Sequence, residues 1–110
     1  MLFASHLDFK NIKTKEQLYI TQHTLIGKGS TLFKDCIIPK VVVAELPRKT
    51  GITQIPSGLF DFVNCNLKPI DFQINGMEKG SRIRVQNLDG TCFQIDDKGI
   101  VSSIQAFLNI

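Results

Sequence analysis

Arg82-Ile83-Arg84-Val85-Gln86 and Thr91-Cys92-Phe93-Gln94-Ile95-Asp96 alternate apolar and polar residues with a period of two, and Ile70-Asp71-Phe72-Gln73-Ile74 does the same upstream. Alternation of this kind puts one set of side chains on each face of a strand, so the three runs read as a C-terminal meander. Between the last two, Asn87-Leu88-Asp89-Gly90-Thr91 fits a three-residue hairpin loop with Gly90 in the left-handed conformation. Pairing Asn87 with Thr91 then sets Val85 opposite Phe93 and Ile83 opposite Ile95 on one face. On the other face the same register places Arg84 against Gln94 and Arg82 against Asp96.

Upstream of the meander the chain keeps a β-favouring texture broken by turn residues. Leu18-Tyr19-Ile20-Thr21 reads as strand, and Thr14 with Gln17 forms a nominal capping box that leads into that strand rather than into a helix. Ser30 to Cys36 and Ile37 to Glu45 form a long extended stretch, with Pro39 marking an edge or a strand break because it cannot donate to a ladder. Val41-Val42-Val43 is its best candidate for burial, Leu46 to Gly51 reads as a surface loop, and Ile52 to Ile55 resumes the extended run. After Asp96-Asp97-Lys98-Gly99 the chain reads either as a strand over 100–104 or as a short helix capped by Ser102 with Gln105.

Short strands at regular intervals, without helical patterns between them, predict an all-β fold: a small antiparallel sandwich or barrel with a C-terminal meander. A solenoid-like character and one short helix are kept within that expectation. At 110 residues the chain has the size of one domain, read as an extended arm over 1–16 and a single β domain over 17–110. One internal echo bears on the solenoid alternative. Phe33-Lys34-Asp35-Cys36-Ile37-Ile38-Pro39 recurs as Phe62-Val63-Asn64-Cys65-Asn66-Leu67-Lys68-Pro69, with Val63, Cys65 and Leu67 on one face. Two rungs are too few for a solenoid, so the echo is either accidental or completed by other chains of an oligomer.

The chemical inventory is poor. Its two histidines, His6 and His23, sit in no recognised signature, and Cys36, Cys65 and Cys92 lack the C-x-x-C spacing of zinc or redox sites. They read as unpaired structural thiols. Gly27-Lys28-Gly29-Ser30-Thr31 lacks the spacing of a phosphate loop. No cofactor, metal site or catalytic residue is assigned, and an enzyme is the last-ranked reading. Thirteen basic residues against ten acidic ones give a net charge of +3, dispersed along the chain, so nucleic acid is not the expected partner. No apolar run is long enough to span a membrane as a helix, and the first residues do not form a signal peptide, which predicts a cytoplasmic or virion-associated protein.

These observations rank the functions. First comes a non-enzymatic β-structured subunit of a larger assembly that homo-oligomerises, with the uncharged C-terminal residues Ile104, Phe107, Leu108 and Ile110 as the self-association segment. The stretch from Asp89 to Ile100 resembles, in texture, the strand-turn-strand repeats of viral and phage structural proteins, which implies such a setting for the assembly. Second is an inhibitor or immunity-type protein that presents Arg48 and Lys49 to an acidic protein partner. Third is a small nucleic-acid-binding barrel using Arg82 and Arg84.

Overall fold

A computed structural model describes residues 6–20, 29–44, 46–47, 53–54 and 56–108. The described strands are β1 (His6–Lys10), β2 (Leu18–Ile20), β3 (Ser30–Lys34), β4 (Val41–Val43), β5 (Leu46–Pro47), β6 (Thr53–Gln54), β7 (Leu59–Cys65), β8 (Phe72–Ile74), β9 (Arg82–Asn87), β10 (Cys92–Asp96) and β11 (Val101–Ser103). A six-stranded sheet runs in the order β1-β3-β7-β9-β10-β11, facing a three-stranded sheet β2-β4-β8, and β5 pairs with β6 as a small separate ribbon. From β1 to β9 every neighbour in the large sheet is parallel, and so is every neighbour in the small one. The antiparallel sandwich or barrel is therefore corrected: the chain winds as a coil whose successive turns each add one parallel strand to the large sheet, and antiparallel pairing among the described strands is confined to the final β9-β10-β11 meander and the small β5-β6 ribbon. Alternation tells which face of a strand is buried but carries no direction, which is why it could not separate the two architectures.

The coil bends at single residues with left-handed backbone conformation. Asn11, Asp35 and Asn64 follow β1, follow β3 and interrupt β7, respectively, and all three have positive φ, at 58°, 56° and 55°. Asn and Asp tolerate the left-handed region best among residues with a side chain, so each is a turn former at the position that needs one. In the third turn Asn64 is the extra residue of a bulge, with Val63 opposite Gln86 and Cys65 opposite Asn87. The echo is thus structural and internal to the chain. Phe33 lies opposite Phe62 in parallel register, and a third copy begins at Phe9, opposite Phe33.

Registered parallel strands stack like on like. Phe9 and Phe33 have ring centroids 5.2 Å apart, and Phe33 and Phe62 are 4.7 Å apart with planes 7° from parallel. Those distances match the spacing of neighbouring strands, so each ring covers the next. Phe72 of β8 packs edge-on against Phe62 at 5.5 Å and Phe93 at 5.9 Å, which joins the small sheet to the large one. Val41, Val43, Ile83, Val85 and Ile95 complete the core between the sheets, each buried aliphatic side chain contributing roughly 1.5–3 kcal/mol before ordering costs. All three of Val41, Val42 and Val43 are buried, as their sequence predicts.

Two further expectations are corrected. The run from Ile70 to Ile74 is not the first strand of the meander: its start is a 3-10 turn over Pro69–Asp71, and β8 belongs to the other sheet, parallel to β4. The meander is instead β9, β10 and β11. The helical alternative at the C-terminus is not taken, since 101–103 is strand and no helix follows among the described residues. The register of β9 with β10 agrees with the sequence reading at every pair, including Arg84 opposite Gln94 and Arg82 opposite Asp96. Gly90 sits at φ +90° in the loop between them. Within the stretch read as an arm over 1–16, β1 is paired along its length with β3 and the chain turns at Asn11.

Candidate contact surface

On the outer face of the large sheet, the strand period places Asp61, Val63, Arg84 and Gln86 away from the aromatic core. Because β7 and β9 are adjacent, Asp61 lies opposite Arg84. Arg84 Nε donates to Asp61 Oδ1 at 2.8 Å and Nη2 to Oδ2 at 2.7 Å, a two-point contact that matches the guanidinium fork to a carboxylate. Hydrogen bonding to Asp61 raises the guanidinium above its ordinary pKa, with burial acting the other way. The Phe107 ring covers the cation at 4.2 Å. Arg82 and Arg84 share one face of β9, yet Arg84 is balanced by Asp61 and covered, while Arg82 remains exposed.

The residues after β11 run back across this outer face. Gln86, buried although it points away from the core, accepts at Oε1 from the N–H groups of Phe107 (2.9 Å) and Leu108 (3.0 Å), and donates from Nε2 to the Leu108 carbonyl (2.8 Å). A primary amide satisfies main-chain groups in this way because it offers both a donor and an acceptor in one plane. Ile104, Phe107 and Leu108 are all half-buried, and the last two are held on their own chain's sheet. Ile110, Arg48 and Lys49 lie outside the described residues, as does His23.

Along the corner of the coil, residues one position beyond the buried Cys36, Cys65 and Asn87 point outward. Ile37 is 62% exposed and Leu88 72%, and a shallow groove of about 560 Å³ runs between them over Asn64 and Asn66. Asn64 Nδ2 donates to Asp35 Oδ1 at 3.1 Å across the rim. Beneath it Cys36 and Cys65 are free, buried thiols that donate to the carbonyls of Lys34 (3.3 Å) and Val63 (3.4 Å). Burial pushes the Cys65 thiol up from its usual value of 9.0 to about 11, so it stays protonated and is not a nucleophile near neutral pH. Among the described residues no group of three or more His, Cys, Asp or Glu is placed to hold a metal ion, and no helix is long and apolar enough to cross a membrane.

The large sheet ends at β11. All three of its residues are exposed, Val101 at 45%, and the preceding Ile100 is 59% exposed. Asp96 N–H donates to Ile100 O at 3.1 Å and Ile104 N–H to Cys92 O at 3.3 Å, with Ser102 opposite Gln94. In an antiparallel ladder of that phase the groups of Ser102 face β10, while the N–H and C=O of Val101 and Ser103 face outward. Sequence reasoning missed this edge, together with Asp61, Gln86 and Asn87. The signal available was a carboxylate flanked by two core phenylalanines in Phe60-Asp61-Phe62, and an uncharged final strand.

Searches with this chain match no family model, no curated protein and no solved structure.

Proposed function

We propose that the chain is a non-enzymatic β-structured module of a larger assembly, working through protein–protein contact and self-association. The observation that carries this reading is the outer edge of β11, an uncharged strand with its outward main-chain groups unanswered among the described residues. Edges of this kind are templates for another strand, and proteins that must stay apart guard them with very short strands, charge, proline or a bulge. Val101-Ser102-Ser103 is short, but it carries no charge and no proline, and its pairing with β10 has no bulge. The buried, protonated Cys65 thiol and the neutralised Arg84 fit a framework rather than a reactive site. Light scattering over a wide concentration range tests the reading. Assembly that grows with concentration is expected, and a strict monomer throughout would overturn it.

A further inference from the structure

We infer that the partner of the β11 edge is the β11 strand of a second copy, paired antiparallel about a two-fold axis in the register that sets Val101 of one copy opposite Ser103 of the other. The inference rests on the module reading above and specifies its contact.

The register follows from which groups are available. Only Val101 and Ser103 direct their N–H and C=O away from β10, so they must form the hydrogen-bonded pairs of any new ladder. Centring the axis on Val101 would require Ser103 to pair with Gly99, which lies in the β10–β11 turn at φ +83° and donates its N–H to Asp96. Centring it on Ser103 would require Val101 to pair with Gln105, where the strand has ended and the chain has begun to cross toward Gln86. Centring it on Ser102 pairs Val101 with Ser103 twice over and satisfies every outward group of both strands. An isologous contact repeats each interaction across the axis. The two Ser102 side chains then face each other across the axis, where hydroxyls pair well.

Charge agrees with this choice. From Ile100 to Leu108 no residue is ionisable, so two copies meet without like-charge repulsion. The opposite end of the sheet is different, because β1 carries Asp8 and Lys10. Pairing β11 to β1 of the next copy would leave a free edge at each end and grow a filament, whereas the two-fold contact closes at two copies.

Cysteine cross-linking reads the register directly, in a Cys92→Ser background that leaves only the buried Cys36 and Cys65. Facing residues at a non-hydrogen-bonded antiparallel pair have Cα atoms about 4.5 Å apart, within disulfide reach. Ser102→Cys should therefore form disulfide-linked dimers under mild oxidation at least about tenfold faster than Val101→Cys or Ser103→Cys, whose symmetry mates lie beyond the roughly 7 Å limit for a disulfide. Ser103→Pro removes an outward donor and no bond to β10, so it should weaken the dimer about tenfold or more with the circular dichroism spectrum retained. Assembly without preferential Ser102→Cys cross-linking, or growth past two copies, would overturn the two-fold contact while leaving the module reading intact. A strict monomer would overturn both.

Discussion

Asn87 holds the backbone of Leu67 at two points: its Oδ1 accepts the Leu67 N–H at 2.9 Å and its Nδ2 donates to the Leu67 carbonyl at 2.6 Å. Leu67 lies just beyond the Asn64 bulge, where the chain leaves the large sheet, so no neighbouring strand answers those groups. A buried amide takes the place of the ladder and fixes where the coil hands over to the final hairpin.

Asn87→Ala should therefore lower stability by about 2 to 4 kcal/mol, since two buried main-chain groups lose their partner together. Urea unfolding would measure it. A loss under about 0.5 kcal/mol, the range of ordinary surface substitutions, would show that water replaces the clamp.

Gly58 and Gly90 both have positive φ, at +111° and +90°, but different surroundings. A Cβ on Gly58 would stand 2.4 Å from the Gly29 carbonyl oxygen, whereas one on Gly90 would meet nothing within 4 Å. Gly90→Val is expected to cost on the order of 1 kcal/mol or more from backbone strain alone. Gly58→Ala should cost more than Gly90→Ala, because Gly29 O stands in the way of the new Cβ, also accepts the Leu59 N–H and cannot move freely. Thermal denaturation of the two alanine variants side by side gives the order.

Removing the Gln86 side chain should release the tail and leave the sheet. In Gln86→Ala the amides of Phe107 and Leu108 lose their acceptor, so their hydrogen exchange should speed up while that of β9 and β10 is unchanged. Unaltered protection at 107 and 108 would mean that the Phe107–Arg84 contact alone holds the segment.

The Cys65 thiol makes stability depend on alkaline pH. Its folded value of about 11 lies above the ordinary 9.0, so between those two values the unfolded chain binds fewer protons than the folded one. Stability in this contribution is full below pH 9 and falls as pH rises toward 11, by on the order of 2 kcal/mol. Unfolding midpoints for wild type and Cys65→Ala across that window should converge as pH rises. Thiol titration in denaturant without reductant should count Cys36, Cys65 and Cys92 all free.

The final hairpin is legible in the local sequence. The spacing of Ile83, Val85, Phe93 and Ile95, together with a loop that requires Gly90, leaves one register in which apolar residues share a face, and all of this information lies within one short stretch of chain. The same local logic marked Pro39 as a break and Val41 to Val43 as buried. The direction and neighbourhood of the other strands emerge only from the packed fold. Alternation reads the same in parallel and antiparallel sheets, and the left-handed residues that turn the coil are single Asn or Asp positions rather than a recognisable turn. The echo between Phe33 and Phe62 was visible, but its third copy at Phe9 has Ile12 in place of the cysteine and a shorter spacing to the next turn. Once β7 lies beside β9, Asp61 meets Arg84 and Asn87 reaches Leu67, contacts that join residues far apart in the chain. Such pairs have no local signature, because what brings them together is the burial of the stacked aromatic core and not any preference of the residues that meet.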